Sequence, residues 1–251
     1  MSDELEAAQG EALKRYENNY PRYAKQCLFI RQKDGQTVPL AFNRSQAYLH
    51  QKIEAQRAAT GMVRVLVLKS RQVGISTYFT GRTYYKTTFH KGQKAFVITQ
   101  EDDTTNALFG MVKRFHENTP EFVRPQVGAS NAKELIFRRL DSGYLVSTAG
   151  NKNTGRGQTI QIFHGSETSR WPNAEEHVAG VMRSIPLLPG TEVYLESTAN
   201  GVNNYFHKMW SAAVKGEGDF IHVFIPWFWH EEYTREVEPR DWKPPLAFAE
   251  Y

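Results

Sequence analysis

A short polar segment, Lys69–Thr77, carries the residue types that bind phosphate groups. It reads Lys-Ser-Arg-Gln-Val-Gly-Ile-Ser-Thr and lies between an apolar run and a helical pattern. In a tight loop between a strand and a helix, backbone N–H groups and the positive end of the helix dipole face an anion, and Gly74 allows close approach of the main chain. Compared with the phosphate-loop pattern G-x-x-x-x-G-K-[ST], Gly74 and Ser76 match, whereas Lys69 replaces the first glycine and Ile75 replaces the lysine.

Binding the β- and γ-phosphates of a nucleotide still requires a cation, and Lys69 or Arg71 can provide it from the other end of the loop. The Ser76 hydroxyl can bind magnesium, with Thr77 as the alternative. The same segment also fits a plain strand–turn–helix connection in which Ser76 caps the helix. Both interpretations stay open on these residues alone.

Two further segments end apolar runs with polar side chains. After residues 160–164, Glu167 fits the role of a carboxylate that activates water, and Ser166 stands where an aspartate usually holds the metal. A serine can hold the metal only weakly or through a water molecule. Residues 197–201 read Ser-Thr-Ala-Asn-Gly and could sense a γ-phosphate. The alternatives are a surface acid or helix cap at Glu167 and a polar turn at residues 197–201.

The elements that must position these residues alternate between strands and helices. Periodicity predicts helices over 3–16, 45–59, 76–89, 104–118, 175–184 and 205–214, with a loop after the first. It predicts strands over 62–68, 94–99, 160–164, 192–197 and 220–226, a hairpin of 29–31 with 37–40, and a β pair of 134–137 with 143–147. This alternation indicates an α/β fold with a mainly parallel sheet covered by helices on both faces.

Composition excludes several classes of protein. The chain has 251 residues, 40% of them hydrophobic, which favours one large core. Its apolar runs fall far short of the roughly 18–20 residues of a membrane span, and its first ten residues are acidic, so we expect neither membrane insertion nor secretion. The single Cys27 cannot form an internal disulfide, and the eight histidines lack metal-ligand spacing.

Charge is distributed unevenly. Residues 61–160 contain 15 basic and 7 acidic side chains, although the net charge of the chain is only +4. This excess is compatible with phosphate-bearing partners and equally with a solvated mixed surface.

Taken in order and spacing, the three segments and a fourth, Thr154-Gly155-Arg156-Gly157, resemble the ATPase motor of tailed-bacteriophage large terminase subunits. The resemblance spans roughly residues 40–230. It implies a P-loop ATPase of the additional-strand, conserved-glutamate type that uses ATP and Mg²⁺ to pump double-stranded DNA into a preformed capsid. The departures from the family pattern are Ile75 and Ser166.

The resemblance also assigns roles to residues. It implies that Glu167 is the catalytic carboxylate, that Thr198 belongs to the coupling motif and that Gln46 contacts adenine; the alternative for Gln46 is an exposed residue at a helix start. Arg156 is our candidate for the arginine that a neighbouring subunit supplies, with contact to DNA phosphate or solvent as the alternative. Ser76, Ser166 and Glu167 are the expected metal-binding residues. The expected nucleotide-binding residues are Lys69, Ser70, Arg71, Gln72, Gly74, Ser76, Thr77, Gln46 and Thr198.

For the organisation of the chain, we expect residues 1–40 to be a helix and hairpin within the same domain, residues 41–234 to be the ATPase core, and residues 235–251 to be a tail or the start of a linker to a nuclease domain. Nuclease activity is not expected in this chain. The resemblance implies a homo-oligomeric ring with the portal protein and the small terminase subunit as partners, in the host cytoplasm and transiently on the procapsid portal. The alternatives are a non-hydrolysing DNA-binding or assembly module and a helicase-like translocase.

Overall fold

The computed structural model describes residues 2–150 and 158–234. Ten strands can be traced in these ranges. They are β1 (Phe29–Arg31), β2 (Thr37–Pro39), β3 (Val63–Lys69), β4 (Lys94–Thr99), β5 (Ala129–Ser130), β6 (Glu134–Phe137), β7 (Ser142–Thr148), β8 (Ile162–Ser166), β9 (Glu192–Ser197) and β10 (Ile221–Ile225). β1 and β2 form the predicted antiparallel hairpin, and the other eight form one sheet in the order β10-β3-β9-β8-β4-β7-β6-β5.

Seven α-helices in the described ranges surround this sheet. They are α1 (Ser2–Glu17), α2 (Tyr20–Cys27), α3 (Arg44–Thr60), α4 (Ile75–Phe89), α5 (Asp102–Asn118), α6 (Ala174–Met182) and α7 (Tyr205–Val214). The six strands from β10 to β7 pair in parallel, whereas β6 pairs antiparallel with β7 and β5 pairs antiparallel with β6. Every residue of β8 and β9 is buried, as expected for strands with helices on both faces. The predicted α/β fold with a mainly parallel sheet is confirmed.

Two apolar cores lie on opposite faces of the sheet. The larger contains Phe79 of α4, Phe115 of α5 and Tyr23 of α2, and the smaller contains Val178 of α6 and Phe206 of α7. None of the helices in the described ranges is both long and apolar enough to cross a membrane.

The sequence reasoning missed α2, where it expected a loop because of two asparagines and a proline. Asn19 is in fact a helix cap, since its Oδ1 accepts a hydrogen bond from the Arg22 backbone N–H at 3.0 Å. Pro21 lies in the first turn, where its missing N–H has no partner to lose. Tyr20 and Tyr23 are buried on this helix, so packing stabilises a segment whose composition indicates a turn.

A buried ion network joins α4 to β9. The Arg82 guanidinium on α4 forms a bidentate pair with Glu192, through Nε at 2.7 Å and Nη2 at 3.0 Å. Lys86 lies 3.0 Å from the same carboxylate, and Arg82 also pairs with Glu54 of α3 at 2.8 Å. Arg82 and Glu192 are each 1% exposed, so each charge depends on its partners for compensation.

We predict that Glu192→Gln lowers the free energy of unfolding at pH 7 by about 3 kcal/mol, because it leaves buried cations without their counter-charge. Burial by itself would raise the pKa of Glu192, but Arg82 and Lys86 outweigh it and lower the pKa to about 2. The contribution of the Glu192 charge to stability is therefore fully present above about pH 4.3, the pKa of a glutamate in the unfolded chain. It is lost as the pH falls through about 2. Urea unfolding should show the gap between wild type and variant closing over this interval.

Lys133→Ala is the matched control. It removes an ion pair with Asp102 in which both side chains are exposed, so it should leave the urea midpoint unchanged. A gap between wild type and Glu192→Gln that stays constant from neutral to acid pH would contradict the role given to Glu192.

Candidate nucleotide-binding site

The loop between β3 and α4 presents an open helix N-terminus. Residues 70–74 connect the two elements, with Gln72 at φ 57° and Gly74 at φ 79°. Gly74 precedes α4 without a side-chain cap, and the first turn of α4 has no acidic residue. Its leading N–H groups are therefore not neutralised by a side chain, and the positive end of the helix dipole is available to an anion.

Side chains of α3 hold the loop at this conformation. Asn43 and Gln46 form a reciprocal capping box at the start of α3. Their side-chain amides also donate to the loop, Asn43 Nδ2 to Val73 O at 3.2 Å and Gln46 Nε2 to Gly74 O at 2.8 Å. A Cβ on Gly74 would lie 2.8 Å from Gln46 Nε2, so the positive φ and the close approach both favour glycine here.

The Lys69 side chain lies between two carboxylates at the carboxyl ends of the strands. Its Nζ is 2.8 Å from Glu167 Oε1 and 3.2 Å from Glu196 Oε2. Glu167 follows β8 and Glu196 lies on β9, so three strands meet at this ammonium group. Lys69 is 8% exposed and Glu196 is fully buried.

The pKa values of this cluster follow from mutual compensation. Burial lowers the pKa of Lys69, but the charges of Glu196 and Glu167 outweigh it and raise the pKa above its ordinary value. Burial raises the pKa of Glu196, but Lys69 above all, with smaller contributions from His164 and Ser76, lowers it to about 2. Lys69 and Glu196 are therefore both charged at neutral pH.

Glu167 is held from its other side by the end of β9. Its Oε2 accepts hydrogen bonds from the Thr198 N–H at 3.1 Å and the Thr198 hydroxyl at 2.9 Å. The Glu167 backbone is left-handed, at φ 54°, a conformation that is uncommon for a residue with a side chain. Ser169 and Asn200 add further bonds between the two segments. A movement of the Glu167 side chain would therefore directly alter its two hydrogen bonds with Thr198.

The structure brings some of the predicted site residues together and separates others. Lys69, Glu167 and Thr198 form one cluster, and Gln46 touches the loop beside it through Gly74. The Arg71 side chain is exposed, and the loop is anchored there by the Tyr233 hydroxyl, which donates to Arg71 O at 2.9 Å. Ser70, Ser76 and Thr77 are half-buried, Gln72 is exposed and Ser166 is buried at the end of β8. Arg156 lies outside the described residues.

Sequence reasoning missed two members of the cluster, Glu196 and His164. His164 Nε2 lies 3.2 Å from Glu196 Oε1, and both residues are fully buried. The signal was the presence of two glutamates, Glu192 and Glu196, on one face of a strand predicted to be buried on both faces. Such residues are rarely buried without a partner.

Ile75, in contrast, replaces the usual lysine with a core residue that is 1% exposed. The cation beside Glu167 and Glu196 is therefore Lys69, which lies at the end of β3 rather than at the start of α4.

The Ser76 hydroxyl and the Glu196 carboxylate are the kinds of group that suit a small divalent cation. Mg²⁺ prefers hydroxyl and carboxylate oxygens and usually keeps several waters. Glu196 Oε2 is buried and has no partner of hydrogen-bond geometry, although Lys69 Nζ lies within ion-pair distance. Among the described residues there is no preformed group of three or more acidic, histidine or cysteine side chains that could hold a metal alone. The residues therefore suit a cation whose remaining ligands come from another bound molecule, such as the phosphates of a nucleotide.

The sheet order defines the class of fold. β9 lies between β3, which leads into the loop, and β8, which is followed by Glu167. An added strand between these two, with a glutamate after the second, is the arrangement that names the additional-strand, conserved-glutamate ATPases.

Comparisons with known proteins agree with this class. The structure is similar to the HK97 bacteriophage large terminase, with a TM-score of 0.66 and 13% identity over 82% of this chain and 43% of that chain. It is also similar to the Thermus phage P74-26 large terminase ATPase domain, with a TM-score of 0.58 and 15% identity over 73% of this chain and 80% of that chain. No family model and no curated protein matches the sequence.

The likeness shows the fold, which is that of the ATPase domains of phage large terminases. The resemblance that the sequence motifs indicated is confirmed at this level, as is the predicted P-loop fold class. The match to HK97 large terminase covers less than half of that protein.

We predict that Lys69→Met lowers the free energy of unfolding by about 3 kcal/mol, because Glu196 is left as an uncompensated buried charge. Adding Glu196→Gln to this variant should recover a large part of the loss, since the orphaned charge is then removed. Arg71→Met is the matched control from the same loop and should change stability by less than about 0.5 kcal/mol. Urea unfolding of wild type, Lys69→Met, Glu196→Gln and the double variant measures the coupling, and Arg71→Met is measured alongside them. Additive effects of the two substitutions would contradict the proposed pairing.

Proposed function

We propose that this chain is an ATP-hydrolysing motor domain that drives double-stranded DNA into a viral capsid. The observation that carries the proposal is the cluster of Lys69, Glu167 and Thr198 beside the uncapped N-terminus of α4. Lys69 supplies a cation, Glu167 a carboxylate and Thr198 a hydrogen bond to that carboxylate. All three lie beside a helix N-terminus at which a phosphate can bind. The terminase-like fold supports the same conclusion.

In this proposal the terminal phosphates of ATP bind at the N–H groups of α4, and the ammonium group of Lys69 compensates their charge. Gly74 lets the main chain approach the phosphates. Arg71, which is exposed on the same loop, is available to a second phosphate oxygen. Gln46 already bonds the loop at Gly74, and we propose that it also lies next to the adenine.

Glu167 is the proposed general base for the attacking water. Its Oε1 is paired with Lys69, so a phosphate that attracts Lys69 would free this oxygen to accept a proton. Mg²⁺, when bound with ATP at Ser76 and near Ser166, supplies positive charge to the phosphate oxygens. Thr198 bonds the other oxygen of Glu167 and would pass the loss of the γ-phosphate into the segment that follows β9.

The partners of this motor are also proposed. Double-stranded DNA is the substrate, with the portal protein and the small terminase subunit as further partners in a homo-oligomeric ring on the procapsid, in the host cytoplasm. Arg156 is the proposed arginine that reaches the γ-phosphate of a neighbouring subunit. Electrostatic stabilisation of the transferred phosphoryl group requires such a charge.

The catalytic proposal is tested by Glu167→Ala. We expect ATP turnover to fall by roughly 100-fold, the contribution of a positioned general base, while ATP affinity stays within about threefold of the wild type. Steady-state phosphate release and equilibrium nucleotide binding measure the two quantities.

Glu175→Ala, an exposed carboxylate of α6, is the control and should hydrolyse ATP at the wild-type rate. Unchanged turnover in Glu167→Ala would refute the assignment. A wild-type chain that binds ATP and never hydrolyses it would favour the non-hydrolysing module, for which the replacements at Ile75 and Ser166 are the supporting observation.

The DNA proposal predicts a grip on phosphates rather than on bases. Affinity for double-stranded DNA should fall by at least about tenfold between roughly 50 and 200 mM salt and differ little between unrelated sequences. Fluorescence anisotropy with two duplexes of different sequence measures both effects. Strong preference for one duplex at every salt concentration, or for forked over blunt DNA in ATPase stimulation, would argue for another translocase.

A further inference from the structure

Ser166, the last residue of β8, brings no negative charge to a magnesium site, and the adjacent Glu167 is already held by Lys69 and Thr198. Ser166 stands where the resemblance to terminases expects an aspartate, and a neutral hydroxyl is a weak ligand for a hard dication. If the proposed function is correct, another side chain near Ser76 has to supply that charge. The geometry of the neighbouring strand shows which one.

Glu196 is the side-by-side neighbour of Ser166. In the parallel pairing of β8 with β9, Ser166 is in register with Glu196, and in the pairing of β3 with β9 the register partner of Glu196 is Val67. Residues in register point to the same face of a sheet, so Glu196 projects on the Ser166 side. This is also the α4 face, because Phe79 of α4 stacks on Tyr194, two residues before Glu196, at 4.5 Å between ring centroids.

The two oxygens of the Glu196 carboxylate differ in their contacts. One is held by His164, and the other has no partner that meets hydrogen-bond geometry. Oε1 lies 3.2 Å from His164 Nε2, which fixes its orientation. Oε2 is fully buried, has no partner of hydrogen-bond geometry and has Lys69 Nζ at 3.2 Å. The Ser76 side chain is near enough to stabilise the same charge. A buried carboxylate oxygen whose main partner is the Lys69 ammonium, near the hydroxyl expected to bind the metal, could bind a cation once Lys69 turns to a phosphate.

Resting on the proposed function, we propose that Glu196 supplies the carboxylate oxygen and the negative charge for the divalent cation that accompanies ATP, in place of the residue at position 166. Lys69 compensates this charge while no phosphate is present. With a nucleotide bound, Lys69 would turn to the phosphates and Glu196 would be free to hold the cation. The strand inserted between β3 and β8 would thus carry a function that other ATPases of this type place on the strand with the catalytic glutamate.

The experiment compares nucleotide binding with and without a divalent cation in the full chain. A non-hydrolysable ATP analogue is titrated in EDTA and in Mg²⁺, and Mn²⁺ binding in the presence of the analogue is followed by electron paramagnetic resonance. Glu196→Gln keeps the shape and removes the charge. We expect affinity in EDTA to stay within about threefold of wild type, and the apparent Mn²⁺ dissociation constant to rise by at least about tenfold, as for loss of a metal-supporting carboxylate.

Two further variants make the result specific. Glu192→Gln, the other buried glutamate of β9, disturbs the same strand and should keep the wild-type Mn²⁺ affinity. Ser166→Asp combined with Glu196→Gln returns a carboxylate to β8 and should recover most of the lost Mn²⁺ affinity. Urea unfolding confirms that each variant is folded under the binding conditions.

The outcomes separate this proposal from the one it rests on. Wild-type Mn²⁺ affinity in Glu196→Gln would overturn the role of Glu196, and so would an equal loss of affinity in EDTA and in Mg²⁺, which would make Glu196 a positioning residue for Lys69. Failure of the wild-type chain to bind the analogue under either condition would overturn the proposed function itself.

Discussion

The candidate site depends on one buried ammonium group. Lys69 enters the site from the end of a central strand and is compensated by Glu167 from β8 and Glu196 from β9. A lysine at this depth is unfavourable without counter-charges, and a fully buried glutamate is equally unfavourable without a cation. Each charge therefore requires the others, and together they link the ends of the three strands.

The same strand connects this cluster to the rest of the fold. β9 carries Glu192 and Glu196 on the face that packs on α4, one at each end of the strand. Glu192 is bonded to Arg82 and Lys86 in the second half of α4, and Glu196 lies near Ser76 in its first turn. Because α4 follows the loop after β3, any shift of that loop would reach β9 through charged contacts. Thr198, which follows that strand, donates a hydrogen bond to Glu167 and so connects the end of β9 to the residue after β8.

Periodicity was sufficient to predict most of the elements, because strands buried on both faces and amphipathic helices have distinct patterns. β4, β9 and α7 have the predicted bounds, and α4 begins one residue earlier than predicted. The location of Lys69 and Glu167 at one edge of the sheet also follows from the sequence, since parallel strands end at the same edge. The loop predicted after α1 was wrong because burial of Tyr20 and Tyr23 outweighs local composition.

The position of Glu196 beside Lys69 could not be predicted in the same way. It depends on which strand lies between β3 and β8, and the order of strands in a sheet is not encoded in the pattern of any one strand. The long-range hydrogen bond from Gln46 to Gly74 is a similar case, since local sequence predicts only that Gln46 lies near a helix start. Contacts that cross the sheet decide the chemistry of the site, whereas contacts along the chain decide its elements.

We propose above all that the loop after β3 binds the terminal phosphates of a nucleotide through the N–H groups of α4 and the side chain of Lys69. A crystal structure of the chain with a non-hydrolysable ATP analogue and Mg²⁺ tests it most directly. The account predicts density for the γ-phosphate at the N-terminus of α4, within hydrogen-bond distance of Lys69 Nζ. Nucleotide density at any other place on the molecule, with Lys69 still paired to both glutamates, would contradict it.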